Sequence, residues 1–154
     1  MDVYQILLQD HQTIGKIFAG ISKDTTSKDR RREQLFKILR EELEAHEILE
    51  ETVFFPEIHK HPEIREVIDA AFDEHAEFDA ILQEISELPA DKPEWLLRIT
   101  EPKDLVQQHV YFEEHKLFPA ARKVLDDRRA EELGRKIEQL KQGENPSSAA
   151  GRRQ

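Results

Sequence analysis

A pattern of histidine and glutamate occurs twice in this 154-residue chain. Residues 46–56 and residues 109–119 both read His-x-x-x-Glu-Glu-x-x-x-Phe-Pro. Four residues of an α-helix rotate by about 400°, so a histidine and the glutamate four positions later project from one face, roughly 6 Å apart along the axis. Imidazole and carboxylate together suit iron, manganese or zinc. The repeat therefore indicates a metal site built from two similar halves.

Each half also contains a single histidine upstream of its motif. His11 follows Asp10 in the first half, and His75 follows Glu74 in the second. With the motif residues, these histidines complete a set of six candidate metal ligands: His11, His46, Glu50, His75, His109 and Glu113. Each half thus supplies one lone histidine and then a His-x-x-x-Glu pair on the following helix.

Helical periodicity predicts that these polar side chains face an apolar interior. Leu43 shares the helical stripe of His46, and Phe72 flanks His75. Burying an unpaired carboxylate costs roughly several kcal/mol or more. A pair of dications between the helices would remove that cost. The pattern therefore favours two metal ions between the helices.

The twofold pseudo-symmetry predicts how the ligands divide between the two ions. We expect His11 and His46 on one ion and His75 and His109 on the other, with both glutamates bridging. A bridging oxide or hydroxide would complete the centre. Carboxylate bridges and open positions favour redox-active iron, with manganese or zinc as alternatives.

The elements that must position these ligands are four long helices. Apolar residues recur at helical spacing over residues 3–22, 29–59, about 62–88 and 100–118. A Ser- and Thr-rich loop is predicted at 23–28, and a short helical piece at 94–99. Four such helices with short loops favour an all-α, antiparallel up-down-up-down four-helix bundle.

Prolines and one threonine predict interruptions of these helices. Pro62 suits the start of the third helix. Pro56 and Pro119 are expected to disturb or kink the ends of the second and fourth. Thr100 is expected to cap a restart of the fourth helix through Pro102.

The chain is predicted to divide into three parts. Residues 1–125 form the bundle domain, and residues 126–143 form an amphipathic C-terminal helix that packs on the bundle or extends its fourth helix. Residues 144–154 are small and polar, and are predicted to be a disordered tail.

Composition narrows the possible chemistry and partners. The chain has no cysteine, which excludes disulfides, thiolate catalysis, iron–sulfur clusters and cysteine zinc sites. Its net charge of −10 argues against nucleic acid and anionic membranes as partners. The first ten residues carry two aspartates and no basic residue, so we expect no secretory signal. No apolar stretch approaches the length of a membrane span, and we expect a cytoplasmic protein.

The histidine-first order of the repeat resembles that of hemerythrin-like domains, also called HHE cation-binding domains. The resemblance extends over about residues 3–125 and rests on the two motifs and the two lone histidines. It implies an antiparallel bundle around a non-haem centre of two iron ions (Fe2+/Fe3+), oxo- or hydroxo-bridged. The ligands it implies are the six residues named above. By contrast, the Glu-x-x-His pattern of ferritin-like bundles is absent from the sequence.

The resemblance also implies a function. Proteins similar to this one bind dioxygen, peroxide or nitric oxide, which predicts a role in oxidative or nitrosative stress defence. Catalase-like or oxidase-like reduction of such molecules would be the corresponding enzyme activity. The alternatives are a non-catalytic oxygen or iron sensor or store, and a metal-free structural bundle. A monomer or weak homodimer is expected.

The sequence departs from the oxygen-carrying members at one position. Those proteins have His-x-x-x-His on the third helix, whereas this chain has Asp79 four residues after His75. Its fourth-helix motif also has glutamate, not aspartate, at position 113. Reversible oxygen carriage by the usual asymmetric centre is therefore not expected. Asp79 could be a ligand, a protonated donor or a solvent-facing residue.

The remaining polar candidates have simpler interpretations. His59, His61 and His115 are predicted to be solvated because they fall in a turn or off the inward face. Three glutamates beside the ligands are expected either to be exposed or to hydrogen-bond the imidazoles: Glu47, Glu51 and Glu114.

Three large side chains near the motifs have two interpretations each. Phe54 and Leu117 could line the site or simply pack in the core. Tyr4 could supply a hydroxyl to the mouth of the site, although packing against the last helix is favoured.

Overall fold

The computed structural model describes residues 1–23 and 29–143, and these residues are almost entirely helical. In chain order the elements are α1 Val3–Lys23, α2 Asp29–Leu49, π1 Glu50–Phe54, α3 Phe55–His59, α4 Pro62–Ser86, α5 Pro93–Phe112, π2 Glu113–Leu117, α6 Phe118–Val124 and α7 Asp127–Gly143. Lys23, the first residue of the loop predicted at 23–28, is the last residue of α1 instead. The rest of that loop and the predicted tail at 144–154 lie outside the described residues.

The first six α-helices and the two π-helical turns form four rods that pack as a bundle. The rods are α1, α2–π1–α3, α4 and α5–π2–α6. Helix α1 packs against α2, α4 packs against α5, and α3 packs against α4. The prediction of an all-α bundle is confirmed. Within the described residues, no helix is both long enough and apolar enough to cross a bilayer.

Two apolar clusters fill the bundle, one on each side of a polar layer. One cluster includes Tyr4, Phe54 and Phe118, and the other includes Phe36 and Trp95. Burial of large aromatic and aliphatic side chains drives the association of the rods. The two clusters flank the histidines and glutamates of the repeat, and so hold them away from water.

The motif prolines act one turn earlier than the sequence predicted. The Phe55 N–H donates to the Glu50 carbonyl, and the Phe118 N–H donates to the Glu113 carbonyl, five residues back in each case. A proline follows each π turn after one intervening phenylalanine. Proline has no N–H to donate and would clash with the preceding turn of a regular α-helix, and the wider π turn gives it room. Beyond the prolines the helices continue, to His59 and to Val124.

The predicted interruption of the fourth rod at Thr100 is wrong. Helix α5 is continuous from Pro93 to Phe112, with Pro102 inside it. The Thr100 hydroxyl donates to the Leu97 carbonyl within the helix instead of capping a new one. Trp95 and other buried residues of the first turns anchor them in the core, which outweighs the one hydrogen bond that Pro102 removes.

Ile38 and Phe72 are large apolar side chains of the rods that are exposed, and Phe72 was expected to face the interior. Ile38 is 47% exposed and Phe72 is 37% exposed. In each case an adjacent residue of the chain is buried instead: Leu39, which follows Ile38 in α2, and Ala71, which precedes Phe72 in α4. Phe72 lies at the edge of its stripe, where its ring meets Phe55 edge to face at 5.5 Å.

Helix α7 packs on the outside of the bundle, against α1. Its buried face includes Leu133, Gly134 and Ile137. A Cβ atom at Gly134 would overlap the Met1 carbonyl oxygen and the Asp2 backbone. The absence of a side chain there permits the close approach of the two segments.

Candidate metal centre

Four helices and two π turns deliver the six predicted ligands to one place. His11 lies on α1, His46 near the end of α2, His75 on α4 and His109 near the end of α5. The two glutamates are the first residues of π1 and π2. All six side chains are buried.

The six residues form two groups that share both glutamates. One group is His11, His46, Glu50 and Glu113, and the other is Glu50, His75, His109 and Glu113. Within each group the candidate ligand atoms all lie within 4.8 Å of one another. This division is the one that the sequence repeat predicted.

Each glutamate reaches across from one half of the chain to the other. Glu50 Oε1 lies 3.4 Å from His46 Nε2 and 3.2 Å from His75 Nε2. Glu113 Oε1 lies 3.0 Å from His11 Nε2, and its Oε2 lies 3.2 Å from His109 Nε2. All four imidazoles therefore present Nε2 to the shared carboxylates.

The inner atoms of this cluster are suited to cations. Both carboxylate oxygens of Glu50 and of Glu113 are buried without well-aligned hydrogen-bond donors among the described residues, as are His75 Nε2 and His109 Nε2. Buried polar groups are nearly always satisfied, and such a concentration of exceptions points to a missing partner. Nitrogen and oxygen atoms in this combination are donors for iron, manganese or zinc. The residues present thus fit a pair of metal ions.

The outer nitrogen of every imidazole is held by a carboxylate from another helix. The Nδ1 atoms of the four histidines bond to four outer carboxylates: His46 to Asp10 at 3.0 Å, His11 to Glu114 at 2.7 Å, His75 to Glu51 at 2.6 Å and His109 to Glu74 at 2.7 Å. These bonds fix the ring orientation and direct Nε2 to the centre. The arrangement follows the pseudo-symmetry of the repeat.

For two of these outer carboxylates, a hydrogen bond to an imidazole was one of two predicted options. For the other two, no such bond was predicted. Glu51 and Glu114 were expected to be exposed or to bond imidazoles, and they bond imidazoles. In the sequence, Asp10 and Glu74 are only the residues before the lone histidines. Their matching places in the two halves were a signal, but each bonds a histidine of the next rod rather than its own neighbour.

The phenylalanine of each Phe-Pro pair covers a histidine of the other half. Phe55 stacks on His75 with ring centroids 5.8 Å apart, and Phe118 stacks on His11 at 6.1 Å. The π turns rotate these residues inward beside Phe54 and Leu117, which are also buried. A regular α-helical period would place only Phe54 and Leu117 next to the site, which is why the sequence does not indicate Phe55 and Phe118.

Charge in the centre shifts the pKa values of the candidate ligands. Burial opposes charged imidazole, but the Glu113 and Glu74 carboxylates outweigh it and raise the pKa of His109 to about 10. The pKa values of His46 and His75 are also raised against the effect of burial, through Glu50. Despite its own burial, the pKa of Glu50 is lowered by His46. The site therefore favours positive charge between its carboxylates, which protons supply when metal does not.

Asp79 is not part of either ligand group. It is exposed, which matches the solvent-facing alternative of the three that the sequence left open. Glu47 is buried, so the option that it is exposed is wrong. Burial, and then the hydrogen bond and charge of Asp79, raise the pKa of Glu47 to about 9.

The other histidines lie apart from the centre, as predicted. His59 bonds Asp69 at 3.0 Å near the surface, and the exposed His115 donates from Nδ1 to the Tyr111 carbonyl. Neither they nor His61 belong to a group of described residues that could hold a metal ion.

Tyr4 lies inside an apolar cluster. Its ring packs on Phe54 at 5.7 Å and on Phe118 at 5.3 Å, and the Arg122 guanidinium lies 3.9 Å from its centroid. Burial raises the pKa of its hydroxyl to about 12. Tyr4 thus packs behind the phenylalanine that covers His11.

The chain is similar to known proteins in sequence and in structure. The family model described as Hemerythrin HHE cation binding domain matches residues 2–121. A crystal structure of a hemerythrin HHE cation binding domain-containing protein from Mycobacterium kansasii superposes with a TM-score of 0.80 at 25% identity. The match covers 91% of this chain and 85% of that one.

A longer relative shares part of its length with this chain. A protein from Nostoc sp. described as a DNA nickase is 24% identical over 132 residues, which is 86% of this chain and 37% of the relative. The chain therefore spans little more than a third of that protein. The family match extends over most of the chain and includes all six clustered residues. The chain belongs to the hemerythrin HHE cation-binding domain family.

Proposed function

We propose that this chain is a non-haem di-iron protein that binds dioxygen, peroxide or nitric oxide in oxidative or nitrosative stress defence. The observation that carries the proposal is the convergence of four imidazoles on two shared, buried carboxylates. In this proposal the metal ligands are His11, His46, Glu50, His75, His109 and Glu113. Iron would supply the electrons needed to reduce a small oxidant.

The chain's own residues determine what could reach such a centre. The six ligands are at most 5% exposed, and the stacked rings of Phe55 and Phe118 cover two of the histidines. Large or charged substrates would have to displace the packed core. Small uncharged molecules such as dioxygen, hydrogen peroxide and nitric oxide are therefore the ligands that this burial favours.

The donor set also supports ligand binding by the loaded protein. Two imidazoles and two shared carboxylates leave open positions on each ion if iron is bound. The outer carboxylates hold the imidazoles in place and increase their strength as donors. Catalase-like or oxidase-like turnover is the activity that we expect from open positions in a water-excluding site.

The competing role is a non-catalytic oxygen or iron sensor or store. It shares the same ligands but predicts reversible binding without turnover. The cytoplasmic location, the monomeric or weakly dimeric state and the lack of nucleic acid partners stay predictions from the sequence. The nickase activity of the Nostoc relative belongs to a much longer protein.

Turnover of small oxidants by the iron-loaded protein tests the proposal. We expect oxygen evolution from hydrogen peroxide, or consumption of nitric oxide, by the wild-type protein and a large loss of either in Glu50→Gln. His115→Gln is the matched control, because His115 is exposed and lies outside both ligand groups. Iron-loaded protein that binds these molecules reversibly without consuming them would favour the sensor. Protein that neither binds nor consumes them would contradict the proposal.

A further inference from the structure

A lysine of the C-terminal helix contacts one of the outer carboxylates. Lys141 Nζ lies 2.5 Å from Asp10 Oδ1, and the other oxygen of Asp10 accepts the hydrogen bond from His46 Nδ1 at 3.0 Å. A continuous chain of contacts therefore runs from α7 to a residue that faces the metal centre. The Asp10 side chain is 11% exposed and the Lys141 side chain is 40% exposed, so water screens this charge pair only from the lysine side.

The other three outer carboxylates have no such partner in the part of the chain that the structure describes. Across residues 1–23 and 29–143, Glu51, Glu74 and Glu114 form ion pairs with their histidines but with no lysine or arginine. Glu74 is the counterpart of Asp10 in the second half of the repeat, and its side chain is 45% exposed. The pseudo-symmetry of the centre is therefore broken at Asp10.

The position of Lys141 is fixed by the docking of its helix. Gly134 approaches the backbone at Met1 so closely that no side chain would fit. The Met1 amino group lies 3.4 Å from Glu138, and Arg129 pairs with Glu57 at 2.9 Å. These contacts along α7 hold its last turn beside Asp10.

The chemical consequence follows from charge. A carboxylate that accepts a hydrogen bond from a ligand imidazole makes the imidazole a stronger donor to metal. An ammonium group on the same carboxylate draws electron density away from that bond and adds positive charge near the cation. Both effects weaken cation binding on the His46 side.

We propose that Lys141 is a positioning residue that makes the two metal ions inequivalent, with the ion at His11 and His46 held more weakly than the ion at His75 and His109. The inference rests on the metal centre of the proposed function and goes beyond it. The C-terminal helix thereby sets which ion exchanges or changes oxidation state first.

Stepwise cobalt binding to the full-length apoprotein tests this inference. Co2+ is added under calorimetry, with the visible spectrum as a second readout. We expect two binding steps in the wild type. In Lys141→Met the weaker of the two should tighten by roughly threefold to tenfold. This change is smaller than the roughly 10–100-fold effect of losing a direct hydrogen-bond partner of a metal ligand. Asp10→Asn should weaken the same step and so identify it as the His46 side.

Matched variants separate charge from packing. Lys141→Arg should retain the wild-type affinities because it retains the charge. Lys136→Met removes an exposed lysine of the same helix and should also leave both steps unchanged. Thermal unfolding of each apoprotein checks that α7 still folds, and Lys141→Gln serves if the methionine variant does not.

Several results would overturn the inference. It fails if Lys141→Met weakens binding as Asp10→Asn does, because Lys141 would then be a simple clamp. It also fails if Lys141→Met matches Lys136→Met. If the wild-type protein binds no cobalt, the metal centre of the proposed function fails first.

Discussion

Each of the four clustered histidines, the candidate metal ligands, lies between two carboxylates. The inner one, Glu50 or Glu113, is shared by both halves of the centre, and the outer one holds Nδ1. The His-x-x-x-Glu spacing made the inner set predictable, since both residues lie on one helical face. The outer set was harder to predict because each of its bonds joins two different rods. Periodicity in one sequence does not reveal which helices lie side by side.

At this scale we predict that the outer carboxylates tune the two ions separately. Glu51→Gln should lower the affinity for the ion at His75 by roughly 10–100-fold, and Glu114→Gln should do the same for the ion at His11. Stepwise metal titration with each variant measures the effect. The exposed Glu77, two residues after His75 on α4, provides the control Glu77→Gln. Equal affinities in all three variants would show that the outer bonds do not influence metal binding.

Metal binding should also release protons. The pKa of His109 is about 10 in the protein without metal, so its imidazole carries a proton at pH 7 that a metal ion must displace. Binding should therefore weaken as pH falls, by up to about tenfold per unit for each proton released. Calorimetry in buffers of different ionisation enthalpy counts the protons. Identical heats in all buffers would contradict this prediction.

Among the elements, the two π turns determine how the motif works. Each begins at a shared glutamate and ends just before the Phe-Pro pair, so a regular α-helix changes register directly after the ligand. Periodicity placed Phe54 and Leu117 near the centre, whereas the extra residue in each turn also brings Phe55 and Phe118 inward to stack on histidines. A proline in a helix signals a disturbance but not its form, and the same ambiguity led to the wrong restart at Thr100.

The docking of α7 can be tested at its closest contact. Gly134→Ala should lower the melting temperature because the added methyl group overlaps the backbone at Met1. Gly15→Ala is the matched control, since Gly15 lies on the exposed face of α1 with open space at its Cβ position. That change should stabilise the protein by about 0.5–1 kcal/mol through helix propensity. Equal melting temperatures for both variants would show that the close approach is unimportant.

In the whole molecule, a polar layer is enclosed by two apolar clusters. The bundle itself was predictable because long amphipathic helices with short connections have few ways to bury their apolar faces. The packing of α7 on α1 was left open between two arrangements, since an amphipathic stripe does not identify its partner. Four imidazoles and two carboxylates at the centre are costly to bury unless cations balance them.

Removing metal should therefore destabilise the whole bundle. Ligands that bind the folded state alone stabilise it by about 4 kcal/mol at a thousand times their dissociation constant. We expect a higher melting temperature for loaded protein than for chelated protein, measured by circular dichroism. Glu113→Gln should lose most of this difference. A melting temperature independent of metal would indicate a bundle that folds around an empty centre.

The most direct test is the metal content of purified protein, measured with its optical spectrum. We expect two iron ions per chain and near-ultraviolet charge-transfer bands in the oxidised protein. Both should be largely lost in Glu50→Ala and Glu113→Ala, because each glutamate is shared by the two ligand groups. Folded wild-type protein that takes up no metal on incubation with iron, or variants that retain two ions and the bands, would contradict the account.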